Sequence, residues 1–267
     1  MPKYGYLVVE GPHDIEFVYR LLSPFGLKRV RLESELDPFF SPLIPRQFPP
    51  DGDLQKRMPI PLFLQSPTHV VAVHSSVGDT RLVQTLEENK VVVKITSFTG
   101  IGILLDSDLV ISPADRYASL CKQLQAKGFT FPDEPGVIKL GPPRLGAFVL
   151  PDNNTNGTLE NLLIECASSA YPTLLNNANE FVSKSLRDTT LTLEDLRDSK
   201  KPSGQNKAII GSMANLLRPG KAIQVSLQDN RWLRDKTLEL PCILKVQNFL
   251  ADLLELPKAS DFREVPS

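Results

Sequence analysis

Two short stretches, far apart in the chain, limit most sharply what this sequence can fold into. Tyr6-Leu-Val-Val-Glu10-Gly-Pro-His-Asp14 lies near the start, and Ile103-Leu-Leu-Asp106-Ser-Asp108 lies well downstream. Each is an apolar run that breaks into carboxylates at its end. Such nearly continuous runs read as strands buried on both faces, as in a parallel sheet. Ligands of open parallel sheets bind beyond the carboxyl ends of the strands, so Glu10, Asp106 and Asp108 are expected to meet there. Three hard oxygen donors describe a Mg²⁺ site that keeps water and phosphate oxygens as its other ligands. Acidic sites of that kind serve phosphoryl chemistry.

The surrounding chain alternates strands with helices. His13–Leu22 reads as a helix with Ile15, Val18, Tyr19 and Leu22 on one face. Gly11 permits the turn before it, and Asp14 falls in its first turn, where a carboxylate is favoured. His69–His74 is a strand, Asp79–Asn89 a helix capped by Asp79, and Val91–Ile95 a short strand or an approach segment. Ile101–Asp106 is the strongest buried strand, and Pro113–Lys127 is a helix that stops at Gly128. Leu145–Leu150 echoes Ile101–Leu105: each has Gly second, followed six residues later by an aspartate, Asp108 or Asp152. This alternation predicts an α/β fold with a mainly parallel sheet flanked by helices.

Residues 31–68 interrupt the pattern with eight prolines, which forbid long helices and central strands. Phe39, Phe40, Phe48 and Phe63 make this Pro-rich insertion an ordered one that either wraps the core or covers the site. Residues 158–186 read as mostly helical, Ser199–Asn206 as a polar loop, and Ile223–Leu227 as an edge strand. Helices near Lys207–Leu217 and Leu240–Leu254 close the chain. Residues 1–157 are thus expected to form the α/β core and 158–267 a C-terminal α-rich elaboration.

A chain of 267 residues, 41% hydrophobic and 23% charged, buries a sizeable core. No apolar run approaches ~18 residues, so no membrane span is expected. The start lacks the pattern of a signal peptide, and three cysteines without metal-ligand spacing read as reduced core thiols, so a cytoplasmic location is expected. The net charge of −1 is unevenly spread: Arg197–Lys236 holds nine basic and three acidic residues, +6, against −7 elsewhere. Lys200, Lys201, Lys221, Arg231 and Arg234 of this segment are candidates for contact with nucleic acid, DNA or RNA. A solvated surface is the plain alternative. Asp14, Asp152 and Glu160 are candidates for a wider metal rim, although Glu160 equally suits a first helical turn after a Thr158 cap. Lys207 is a candidate to steady charge on a phosphate in its transition state.

An apolar strand ending in Glu-Gly-x-x-Asp (Glu10 to Asp14), followed by one ending in Asp-x-Asp (Asp106, Asp108), resembles the Toprim domain. Topoisomerases, bacterial primases, overcoming-lysogenization-defect nucleases and ribosomal-RNA maturases share that domain. The resemblance covers residues 4–112, and Gly146–Glu160 is similar to stand-alone microbial Toprim-like proteins. It implies that Glu10 is a metal ligand or a general acid/base, and that a separately encoded ATPase is a possible partner. The third aspartate of some Toprim domains would fall at Val110 and is missing, which speaks against a topoisomerase. A primase reading lacks zinc-binding cysteine spacing. Two readings remain: a Mg²⁺- or Mn²⁺-dependent nuclease, or a non-enzymatic module that binds metal with nucleotide or RNA in a regulatory or defence complex.

Overall fold

The computed structural model describes residues 1–46, 52, 54, 60–78, 81–92 and 95–257. The protein is α/β. Strands β1 (Lys3–Val9), β2 (Lys28–Arg29), β3 (Leu62–Gln65), β4 (His69–Ser75), β5 (Gly100–Asp106), β6 (Ile138–Lys139) and β7 (Arg144–Leu150) form one sheet in the order β2-β3-β4-β1-β5-β7-β6. β1 runs parallel to both β4 and β5, with Val9 opposite Ser75 and Leu104. Hydrogen bonds from Arg144 N to Thr99 O (2.8 Å) and from Ser107 N to Leu150 O (3.4 Å), one at each end of the β5–β7 pair, give it a parallel sense. The edges are antiparallel: β3 against β4 and β2, and β6 against β7. The sheet is therefore mixed and mostly parallel.

The four long strands are the four that read as continuous apolar runs. Leu7, Val8, Val9, Val73, Ile101 and Ile103 are fully buried, as strands covered on both faces require. The helices are α1 (Pro12–Leu22), α2 (Leu82–Val92), α3 (Pro113–Ala126), α4 (Leu159–Ala170), α5 (Pro172–Ser185), α6 (Gly204–Leu217), α7 (Ile223–Asp229) and α8 (Pro241–Leu254). α1 buries Phe17, Val18, Leu21 and Leu22 on one face.

Two sequence expectations fail here. Ile223–Leu227 is no edge strand but most of α7. Its apolar alternation yields to tertiary contacts: Leu227 is buried, and the buried Ser226 hydroxyl accepts the Trp232 indole N–H at 2.9 Å. Val91 and Val92 complete α2 rather than opening a strand, and Ile95 begins a 3₁₀ turn. The helix cap assigned to Asp79, like Phe48, lies outside the described residues. Within the Pro-rich insertion, β3 lies between Pro61 and Pro67, and Phe39 and Phe40 pack with Tyr4, Phe63 and Phe98 at ring separations of 4.0–6.1 Å.

Compactness divides the chain differently from chain order. One unit comprises Met1–Leu105, Tyr117–Phe148 and the segment from Gln247; the other comprises Asp106–Arg116 and Val149–Val246. In the first unit the end of α8 lies on the sheet where glycines leave room. A Cβ at Gly102 would sit 2.5 Å from Leu253 Cδ2, and one at Gly100 would strike the Leu253 carbonyl oxygen. In the second unit α4, α5, α6 and α7 enclose a core containing Leu162, Ile210, Met213 and Trp232.

Candidate site at the carboxyl ends of the central strands

The strand order sets where a ligand is expected. From β1 the chain goes by α1 toward the β4 side, and from β5 it goes by α3 toward the β7 side. β1 and β5 are adjacent, so their outgoing connections diverge. That divergence is a topological switch point, the position at which open α/β sheets bind ligands. With Val9 opposite Leu104, Glu10 follows β1 directly and Asp106 is the last residue of β5.

In the first unit, Glu10 is half-buried at a bend. Its carbonyl accepts the Gly78 amide at 3.0 Å and the Ser75 hydroxyl at 3.3 Å. The loop after β4 thereby fixes the backbone that carries the Glu10 side chain. Asp14, in the first turn of α1, accepts the Gly11 amide at 2.8 Å. It closes the helix start, which is its structural reading.

The second unit holds the other acidic candidates. Asp106 is half-buried, and its Oδ1 accepts the Leu159 amide at the start of α4 at 2.9 Å, a favourable place for a carboxylate. Its carbonyl accepts Arg116 Nε at 3.1 Å. Ser107, fully buried, fastens the strand end to the segment before α4. Its hydroxyl accepts the Gly157 amide at 2.8 Å and lies 3.1 Å from the Gly157 carbonyl. Gly157 tolerates no side chain there, since a Cβ would meet Pro151 at 2.9 Å and Asn161 at 3.0 Å.

Asp108 differs from the sequence expectation in its backbone. Two aspartates one residue apart share a side only in extended chain, but β5 stops at Asp106 and Asp108 has φ 67°. Its side chain is exposed, and Asp108 bridges to Gly157. Asp152 sits in a tight turn, accepting the Thr155 amide at 2.7 Å, the Asn154 amide at 3.0 Å and the Thr155 hydroxyl at 2.9 Å, with Lys245 at 3.8 Å. Burial raises its pKa, but these hydrogen bonds and Lys245 outweigh burial and leave it below the ordinary aspartate value. Glu160 is buried, and its Oε2 accepts the Thr158 hydroxyl at 2.7 Å. Asp152 and Glu160 thus both have local structural work.

Among the described residues no three His, Cys, Asp or Glu side chains form a group able to hold a metal ion. Oxygen-only donors still suit Mg²⁺, which is commonly held by one or two carboxylates together with substrate phosphates.

Lys207 is exposed on α6, and Lys200, Lys201 and Lys221 are exposed on either side of that helix. Lys201 pairs with Asp198 at 2.7 Å, Arg231 lies 5.1 Å over the Tyr171 ring, and Arg234 donates to the Gln228 carbonyl at 3.0 Å. Sequence reasoning missed Ser107 and Arg116. The signal for Arg116 was a cation in the first turn of a helix, the end that favours anions.

The fold is that of an α/β protein built on a mixed, mostly parallel seven-stranded sheet. Residues 4–255 match the family described as "Protein of unknown function (DUF3226)", and the chain belongs to that family. Its fold is similar to the crystal structure of hypothetical protein PH0156 from Pyrococcus horikoshii OT3, at 16% identity and a TM-score of 0.52, over 92% of this chain and 98% of that one. No curated protein matches the chain significantly.

Proposed function

We propose that this protein is a divalent-metal-dependent phosphodiester hydrolase, a nuclease, acting at the acidic end of β5. The observation that carries this reading is the switch point where the connection leaving β5 diverges from that leaving β1, with Asp106 as the last residue of β5. Asp106 and Asp108 are the proposed ligands of a Mg²⁺ or Mn²⁺ ion. When bound, such an ion polarises a phosphoryl oxygen and makes its bound water more acidic. The basic segment Arg197–Lys236 neutralises the phosphate backbone.

Asp106→Asn is the test. The amide keeps an acceptor for Leu159 N while removing the charge a cation needs. Cleavage of single- and double-stranded DNA and RNA in Mg²⁺ or Mn²⁺ should vanish while circular dichroism stays unchanged. Undiminished cleavage by this variant would sink the reading. A second reading, a non-enzymatic metal- and nucleic-acid-binding module, rests on the same uneven charge, +6 over Arg197–Lys236. Binding by the wild type without cleavage under all these conditions would favour it.

A further inference from the structure

We infer that the β5–α3 loop is a nucleotide-contacting element that selects unpaired strands, with Arg116 receiving a phosphate and Val110 and Ile111 packing against a base or sugar. This deepens the phosphodiester reading above and rests on it for the ligand class. The loop is fastened at its root, middle and far end. Ser107 is tied to Gly157, the Leu109 carbonyl accepts Asn156 Nδ2 at 3.3 Å, and the Ser112 hydroxyl accepts the Asp115 amide at 3.1 Å. From this fixed frame Val110 and Ile111 project outward, 72% and 41% exposed. Two adjacent β-branched apolar residues on a braced loop gain nothing from water. They gain from covering an apolar surface.

Arg116 supplies the polar half. It stands in the first turn of α3, beside the end of β5. Its Nε is held on the Asp106 carbonyl, so the planar guanidinium is oriented at the strand end that carries the acidic pair. A fixed guanidinium matches phosphate geometry better than an ammonium does. The same compact unit carries the +6 segment Arg197–Lys236, which complements a polyanion. A duplex buries its base faces in the stack, whereas an unpaired strand offers them to apolar side chains. The loop's chemistry therefore favours the unpaired strand.

The test is fluorescence anisotropy in EDTA with oligo(dT), oligo(U) and a duplex of matched length. The wild type should bind the single strands about tenfold more tightly than the duplex. Arg116→Ala should weaken binding several-fold and flatten the slope of log K against log salt by about 0.7, the value for one lost contact on a single strand. Arg116→Lys should keep the slope, because the point charge remains. Val110→Ser with Ile111→Ser should abolish the single-strand preference and leave the slope unchanged. These two side chains are exposed, so the double variant should melt like the wild type. Equal binding of duplex and single strand by the wild type, absence of binding, or an unchanged slope in Arg116→Ala overturns the inference. A protein that shows the expected binding pattern yet cleaves nothing in Mg²⁺ ends the hydrolase reading alone.

Discussion

Asp106 serves two neighbours at once. Its side chain accepts the first amide of α4 and its carbonyl accepts Arg116 Nε, so Asp106 is held at both its side chain and its backbone. Removing the side chain should cost stability apart from any chemistry. Asp106→Ala loses a cap-like hydrogen bond and is expected to lower unfolding stability by about 1 kcal/mol, while Asp106→Asn should lose less than half of that. Urea denaturation of the two variants checks the difference; equal losses would mean that the Leu159 bond contributes nothing.

Asp152 offers a pH readout at the same scale. Its pKa is lowered in the fold, so the unfolded chain binds the proton more readily. The stability it contributes is fully present above the ordinary aspartate value of about 3.9, and is lost as pH falls through the lower folded value. Asp152→Asn should therefore flatten the acid limb of the stability curve below about pH 4 and leave the shape near neutrality unchanged. Parallel acid limbs for variant and wild type would contradict the assignment.

At the scale of elements, the glycines of β5 are set by the helix that covers them. At Gly102 a methyl group would press on side-chain atoms of Leu253 and Leu7, which can yield. At Gly100 it would press on the Leu253 backbone oxygen, which cannot yield without moving the helix. Gly102→Ala should cost about 1–3 kcal/mol, and Gly100→Ala more. Adding Leu253→Ala should recover part of the Gly102→Ala loss and none of the Gly100→Ala loss. A thermodynamic cycle of the four variants measures this coupling.

For the whole molecule, the uneven charge predicts how any nucleic-acid binding responds to salt. Lys200→Ala with Lys201→Ala should weaken binding, most visibly at low ionic strength. Lys201 is paired with Asp198, so most of the effect should come from Lys200. Titrations of the two single variants over a salt series will show it; equal effects would mean that the Asp198 pair opens on binding.

Much of this architecture was legible in sequence because it rests on local signals. Continuous apolar runs announced β1, β4, β5 and β7, and the carboxylates that end β1 and β5 stand in the sequence itself. The period of helix α1 and the stop of α3 near Gly128 are equally local. Strands β2 and β6, two residues each, and β3, bracketed by prolines, carry too little pattern to read, since their pairing partners supply the stabilisation. Ile223–Leu227 alternates like a strand and is a helix because the buried Ser226 and Leu227 pack in its own unit. The sequence by itself determined the α/β class and the acidic strand ends, both of which depend on neighbours a few residues away. Only the tertiary structure decided that β1 and β5 lie side by side, that Asp106 meets the start of α4, that Asp108 leaves the extended chain, and that Arg116 turns toward the strand end. Those are contacts between distant residues, selected by packing and hydrogen-bond satisfaction across the chain, and no local pattern encodes them.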